Sequence, residues 1–386
     1  MAKKKNYKKK SKFKSTLSVI ALILVIAFVL TCYFYPPFYE KVKSFLGLTD
    51  EDGRGDIRVE GDTAYVTVLE DLKVHFVDVG QGDAIIIELP DGKNVLIDAG
   101  EDKEFDKLEY YIDNKTDVDY FDYVIATHAD SDHIGGMDKV LNKYEVRYIY
   151  RPHVYYPGDR YEFSADFNKG GKDEQKNTAN YADFLYAVSN ETYTENGETK
   201  SAGWEFFTHN SDFAGKISYQ DNIYEYYFDF LTPRVEDYSL INYDNANDYS
   251  PIVKFSYCGV DILFTGDAEG GNEGDAEDEF VEYYKNVSNL DLDVDILKVS
   301  HHGSRTSTTQ ALLDIVKPEY AVIQCGYNNS YSHPHDVTLK RLQTIESLVY
   351  RNDLHGNILL TLTASGTFTF KTDIINPSNV YVGGDI

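Results

Sequence analysis

The run His128-Ala129-Asp130-Ser131-Asp132-His133 puts four metal-ligand side chains into six residues. It lies directly after the apolar stretch Tyr123 to Thr127 and before an amphipathic stretch opening at Ile134-Gly135-Gly136. The implied order is strand, ligand-rich loop, helix. Alternate positions on an extended loop point the same way, so His128 and Asp130 are expected to face one metal while Asp132 and His133 face a neighbouring one. The competing reading is a solvated acidic turn with two unrelated histidines. Four ligands this dense are rare by chance.

Further along, the apolar run Leu263-Phe264 leads into Thr265-Gly266-Asp267 and delivers a carboxylate after a glycine. A carboxylate there can bridge two cations, although Gly-Asp after a strand is by itself an ordinary turn. Val299-Ser300-His301-His302-Gly303-Ser304 is another strand end running into a glycine turn. Adjacent residues on a strand point in opposite directions, so one of His301 and His302 is read as a metal ligand and the other as a catalytic or substrate contact. We carry His302 forward as the ligand and His301 as the catalytic group, with the reverse left open. Ser332-His333-Pro334-His335 precedes a helix, and either histidine there could protonate a leaving group. Asp78-Val79-Gly80-Gln81-Gly82-Asp83 and Leu96-Ile97-Asp98-Ala99-Gly100 allow close backbone approach, with Asp98 as an acceptor that fixes a ligand histidine. No helix follows the first glycine-rich turn, so it does not read as a dinucleotide site.

The 386 residues include 37 Lys and Arg against 64 Asp and Glu. Ten of the basic residues but only two acidic ones, Glu40 and Asp50, fall in residues 1–50, which leaves 27 basic against 62 acidic in the remainder. A body of net −35 repels polyanions at long range and counts against a broad DNA-coating surface. It leaves room for a phosphodiester where a divalent metal is the largest local charge. Cys32, Cys258 and Cys325 are too few and too scattered for a disulfide framework or a cysteine-rich zinc site.

Residues 1–15 are Lys-rich, and Leu17 to Tyr35 form a nearly continuous apolar run without charge. About 20 such residues span a bilayer, so residues 16–35 are expected to be a single transmembrane anchor with the basic tail in the cytoplasm and the body outside. A cleaved signal peptide would end in a small-x-small site, whereas this run ends Thr31-Cys32-Tyr33-Phe34-Tyr35. Residues 36–60 read as a stalk, and 61–386 as the globular body. Its short apolar runs separated by turns, then strands with interspersed helices, suggest an α/β sandwich. Residues 151–225, rich in Tyr, Asn and charge and carrying the single tryptophan, Trp204, read as an insertion or lid.

Taken together, the ordered motifs from Asp78 to Ser304 resemble the metallo-β-lactamase superfamily, and more closely the C-terminal hydrolase domain of ComEC-type competence proteins, over roughly residues 70–372. The resemblance implies an αββα sandwich with a binuclear zinc or manganese site. By motif match, His128 and Asp130 would bind one metal and Asp132 and His133 the other, with Asp267 bridging and one of His301 and His302 completing the second. Asp130 stands where the superfamily usually has histidine, a change that suits manganese as well as zinc. A histidine expected before Asp267 has no clear match: Asn247-Asp248-Tyr249-Ser250 lies there instead, and His209 is far upstream. The membrane channel of ComEC-type proteins has no counterpart beside the single anchor, so DNA import by this chain alone is not expected.

The expected activity is that of an extracellular two-metal phosphodiesterase with nucleic acid among its substrates. Asp132 would orient the attacking water, and His335 or His301 would assist the leaving oxygen. One rival is a wall-directed phosphorylcholine esterase, favoured by the acidic body and by aromatic residues able to cage a quaternary ammonium. Another is a surface binding module with a vestigial metal site. Protein partners are not readable from the sequence.

Overall fold

The computed structural model describes residues 57–170, 176–286 and 292–374. The chain divides into two compact units, one of residues 1–57 with 66–68 and one of residues 58–65 with 69–386. Only 57 and 66–68 of the first are described, and the following concerns the second. The expected tail 1–15 and anchor 16–35 lie outside the described residues, as does most of the stalk. Among the described residues, no helix is long and apolar enough to cross a membrane.

Two sheets carry the fold. One runs, edge to edge, Gly203–Phe206, Val146–Arg151, Phe121–Ile125, Asn94–Ile97, Ile85–Glu88, Leu72–Phe76, Ile358–Leu362 and Phe368–Thr372. The other runs from residues 63–65, alongside Lys216–Ser218, through Phe213–Tyr219, Asn222–Phe230, Val253–Tyr257, Val260–Phe264, Ile296–Lys298 and Tyr320–Ile323 to Leu348–Arg351.

Period-two alternation explains why each sheet is buried on both faces. In the first sheet Ile86, Leu96, Val124 and Ile149 pack outward against the helices Phe105–Lys115, Met137–Lys143 and Ala179–Asn190. In the second, Leu263, Leu297, Ala321 and Ile323 pack against Ala276–Asn286, Gln310–Val316 and Asp336–Thr344. The intervening residues meet between the sheets: Tyr123 stacks on Phe213 with ring centroids 4.1 Å apart, and Phe76 lies 6.5 Å from Phe264. Helices outside and two sheets within make the expected α/β sandwich.

The segment 151–225, read from sequence as an insertion or lid, is woven into both sheets. It supplies the Ala179–Asn190 helix, the Gly203–Phe206 edge strand and the Phe213–Tyr219 strand. Its aromatic residues have an internal task. Phe167, Trp204 and Phe206 surround the buried guanidinium of Arg151 at 4.3–4.5 Å. A cation of the chain itself already occupies these three faces.

Candidate metal centre

Every motif singled out above ends at the same sheet edges. The strand Phe121–Ile125 delivers Thr127 and His128, and the short helical turn Ser131–Ile134 carries Asp132 and His133. The strand Val260–Phe264 leads to Asp267, and Ile296–Lys298 leads to His301 and His302. Glycines make the close approaches possible. A Cβ on Gly82, whose φ is +135°, would lie 2.2 Å from the carbonyl oxygen of Asp132.

Each central imidazole has its Nδ1 committed elsewhere. His302 Nδ1 lies 2.8 Å from the backbone carbonyl of Gln324, which can only accept, so Nδ1 is the donor. His133 Nδ1 donates likewise to Asp98 Oδ2 at 2.7 Å. Asp98 is held in place by accepting from the Thr127 backbone N–H at 2.8 Å and the Thr127 hydroxyl at 2.7 Å. His128 Nδ1 lies 3.1 Å from Thr127 Oγ1 and 3.2 Å from Ser250 Oγ. An imidazole whose Nδ1–H is given to an acceptor presents its Nε2 lone pair, which is how a metal-binding histidine is oriented.

Those Nε2 atoms converge on Asp267. Its Oδ1 is 3.2 Å from His133 Nε2, and its Oδ2 is 3.4 Å from His302 Nε2 and 4.0 Å from His128 Nε2. The His133 and His302 Nε2 atoms are themselves 3.3 Å apart, and Asp132 Oδ2 is 3.3 Å from His302 Nε2. His128, His133, His302 and Asp267 are all buried. His128 Nε2 and Asp267 Oδ1 have no hydrogen-bond partner. Buried polar atoms left unpaired and facing one another fit a cation between them.

The titration behaviour agrees. Burial works against the imidazolium of His133 and His302, but the neighbouring Asp267, with Asp98 or Asp83, outweighs it. His133 is raised well above its ordinary value and His302 to about 10. The same histidines outweigh burial at Asp267 and hold it well below the usual carboxylate range. Protons here stand in for positive charge that the cluster is built to receive.

The sequence-predicted residues fare differently. His128, Asp132, His133, Asp267 and His302 come together as described. His301 joins them instead of pointing away: its Nδ1 lies 3.1 Å from Glu269 Oε1 and its Nε2 3.7 Å from Asp267 Oδ2. The opposite-facing expectation assumed a strand, whereas His301 and His302 take φ of +48° and +53° in a left-handed turn. Asp130 Oδ1 pairs with Lys176 Nζ at 2.5 Å, while its charge acts on the neighbouring His128 imidazole. His335 accepts the Arg305 backbone N–H at 3.0 Å, and it is His333 whose ring lies 5.4 Å from that of His301. Ser250 takes the place where a histidine was expected, accepting the Asp267 N–H at 3.0 Å, while His209 pairs with Glu236.

Two contributors went unassigned in the sequence. Asp83 lies 3.2 Å from His302 Nδ1 and groups with His133, Asp267 and His302 as a potential metal cluster. It faces the Nδ1 side and is ion-paired to the buried Lys298, while its Oδ1 has no hydrogen-bond partner. Lys298 was visible as a lone cation in an otherwise apolar strand.

Residues 77–213 match the model of the metallo-β-lactamase superfamily. Over those residues the chain is similar to metallo-β-lactamase superfamily domains. It is 26% identical over 302 residues to ComE operon protein 3 of Bacillus subtilis (strain 168), covering 74% of this chain and 32% of that protein. It is 26% identical over 292 residues to Recombination protein 2 of Haemophilus influenzae, covering 74% and 28%. To Competence protein ComA of Neisseria gonorrhoeae it is 32% identical over 139 residues, covering 36% and 18%. The resemblance to ComEC-type competence proteins is thereby borne out, and the chain spans about a third or less of these relatives' lengths.

Proposed function

We propose that this metallo-β-lactamase-like domain is a metal-dependent phosphodiesterase acting on nucleic acid, held at the outer face of a membrane by residues 16–35. The observation that carries the reading is the convergence of three Nε2 atoms on one buried carboxylate, with His128 Nε2 and Asp267 Oδ1 left without partners. The names of the relatives, competence and recombination proteins, favour nucleic acid over other esters.

Bound zinc or manganese would neutralise developing phosphoryl charge and activate water at neutral pH. His128, His133, His302 and Asp267 are the residues that would hold the cations. Asp132, with its side chain partly exposed at the rim, accepts a hydrogen bond from the attacking water and orients it. His301, half-buried with Glu269 behind it, faces the leaving oxygen, and His333 lies beyond it on the same side.

The test is hydrolysis by the purified chain, stripped of metal and reloaded with manganese or zinc. Single- and double-stranded DNA, RNA and a chromogenic phosphorylcholine ester are the substrates. Metal-dependent cleavage of a polynucleotide is expected. Cleavage of the choline ester alone would reverse the reading.

A further inference from the structure

The loop 326–335 runs beside the metal centre and presents two aromatic rings that nothing in the described fold covers. Tyr327 is 75% exposed and Tyr331 61%. Tyr331 lies nearly parallel to His333, with an interplanar angle of 24° and centroids 5.6 Å apart. His333 in turn contacts the His301 ring at 5.4 Å and the His302 ring at 6.0 Å. One ring of this ladder is bare, and the other end touches the candidate metal centre. Between them, His333 Nδ1 is buried without a partner.

The loop is rigid where such a surface loop could be slack. Asn329 clamps it with both ends of its amide: Nδ2 donates to the carbonyls of Gly326 and His333, and Oδ1 accepts the N–H groups of Tyr331 and His333, all within 2.6–3.1 Å. Ser332 is held at φ of +62°, a conformation that costs a non-glycine residue roughly 1–2 kcal/mol. An exposed ring contributes little to folding, so strain that fixes it in place points to binding.

We propose that Tyr331, backed by His333, is a stacking ledge for an unpaired nucleobase of the substrate strand. The inference rests on the phosphodiesterase reading for its ligand class. A ledge next to the reacting phosphate meets a base one nucleotide away, and every base has a face to stack. In a duplex those faces are already stacked, so the ledge selects single strands. It also answers the charge problem. A body of net −35 gains little from phosphate contacts, whereas stacking supplies affinity without positive charge. Because the ring is already fixed, little ordering cost is incurred on binding.

The full chain, Tyr331→Ala and Tyr331→Phe are compared by fluorescence anisotropy for binding three labelled ligands. These are a single-stranded oligonucleotide, an abasic strand of equal length, and the matching duplex. The Ala variant is expected to bind the single strand about tenfold more weakly, with the abasic strand and duplex unchanged, while Phe keeps wild-type affinity. Equal affinity of Tyr331→Ala and wild type for the base-bearing strand overturns the ledge, as does equal weakening on the base-bearing and abasic strands. Binding is read separately from hydrolysis, so a chain that binds through the ledge without cleaving would count against the phosphodiesterase reading alone.

Discussion

The ammonium of Lys298 is ion-paired with the carboxylate of Asp83, and both are fully buried beneath the metal centre. The same Nζ donates to the carbonyl of Gly266 at 3.1 Å, while Asp83 reaches His302 Nδ1 at 3.2 Å. One lysine thus ties together the loops that carry Asp83, Asp267 and His302. Lys298→Met strands a buried carboxylate, and breaking one partner of such a pair costs about 3–5 kcal/mol. Urea unfolding of the metal-free variant is expected to show a loss of that size. Metal affinity, by calorimetry, is expected to fall roughly 10–100-fold because the loops that carry Asp83 and Asp267 are no longer held together beneath the site. The double change Lys298→Met with Asp83→Asn is expected to restore most of the stability. A single variant as stable as the wild type would refute the role given to this pair.

Metal binding is expected to depend on pH with a definite sign. In the metal-free protein, His302 stays protonated up to about 10, as Asp267 and Asp83 outweigh the burial that opposes the charge. In the unfolded chain an imidazole releases its proton near about 6.5. The stabilisation from that proton is therefore complete below the unfolded value and is lost as pH rises towards about 10. A metal ion takes over the proton's place, so manganese or zinc should raise the melting temperature more at about pH 9 than at about pH 6. Calorimetry in buffers of different ionisation enthalpy should register proton release on binding near neutrality. A pH-independent metal shift would count against His302 as a ligand.

Gly82 offers a test by packing alone. A Cβ there would lie 2.2 Å from the Asp132 carbonyl oxygen, and φ of +135° is open only to glycine. Gly82→Ala is expected to lose at least about 1–3 kcal/mol of stability from backbone strain. Displacing Asp132 should also reduce metal-dependent turnover out of proportion to the stability loss. Thermal unfolding and initial rates, compared at a temperature where both proteins are folded, would reveal it. Turnover equal to wild type would show that the 80–83 loop does not position Asp132.

These cases show where the sequence was readable. The run His128 to His133 could be read because four ligands crowd six residues, and the strands as short continuous apolar runs because both sheet faces are buried. Reading broke down where the backbone left the assumed geometry. Asp130 stands at the start of a helical turn, Ser131–Ile134, so alternation ends there and its carboxylate turns to Lys176. His301 and His302 sit in a left-handed turn, which lets both face Asp267. The task of Phe167, Trp204 and Phe206 was not legible because they close on Arg151, a contact between residues far apart in the chain.

The central claim, that the Nε2 atoms of His128, His133 and His302 converge with Asp267 to hold divalent cations, is tested most directly by metal content. The wild-type chain and Asp267→Ala are dialysed to equilibrium against manganese or zinc and measured by elemental analysis alongside circular dichroism. The account predicts about two ions per folded wild-type chain, as a carboxylate-bridged two-metal site requires, and a folded Asp267→Ala variant with at least one ion lost. Equal metal content in two equally folded proteins would contradict it.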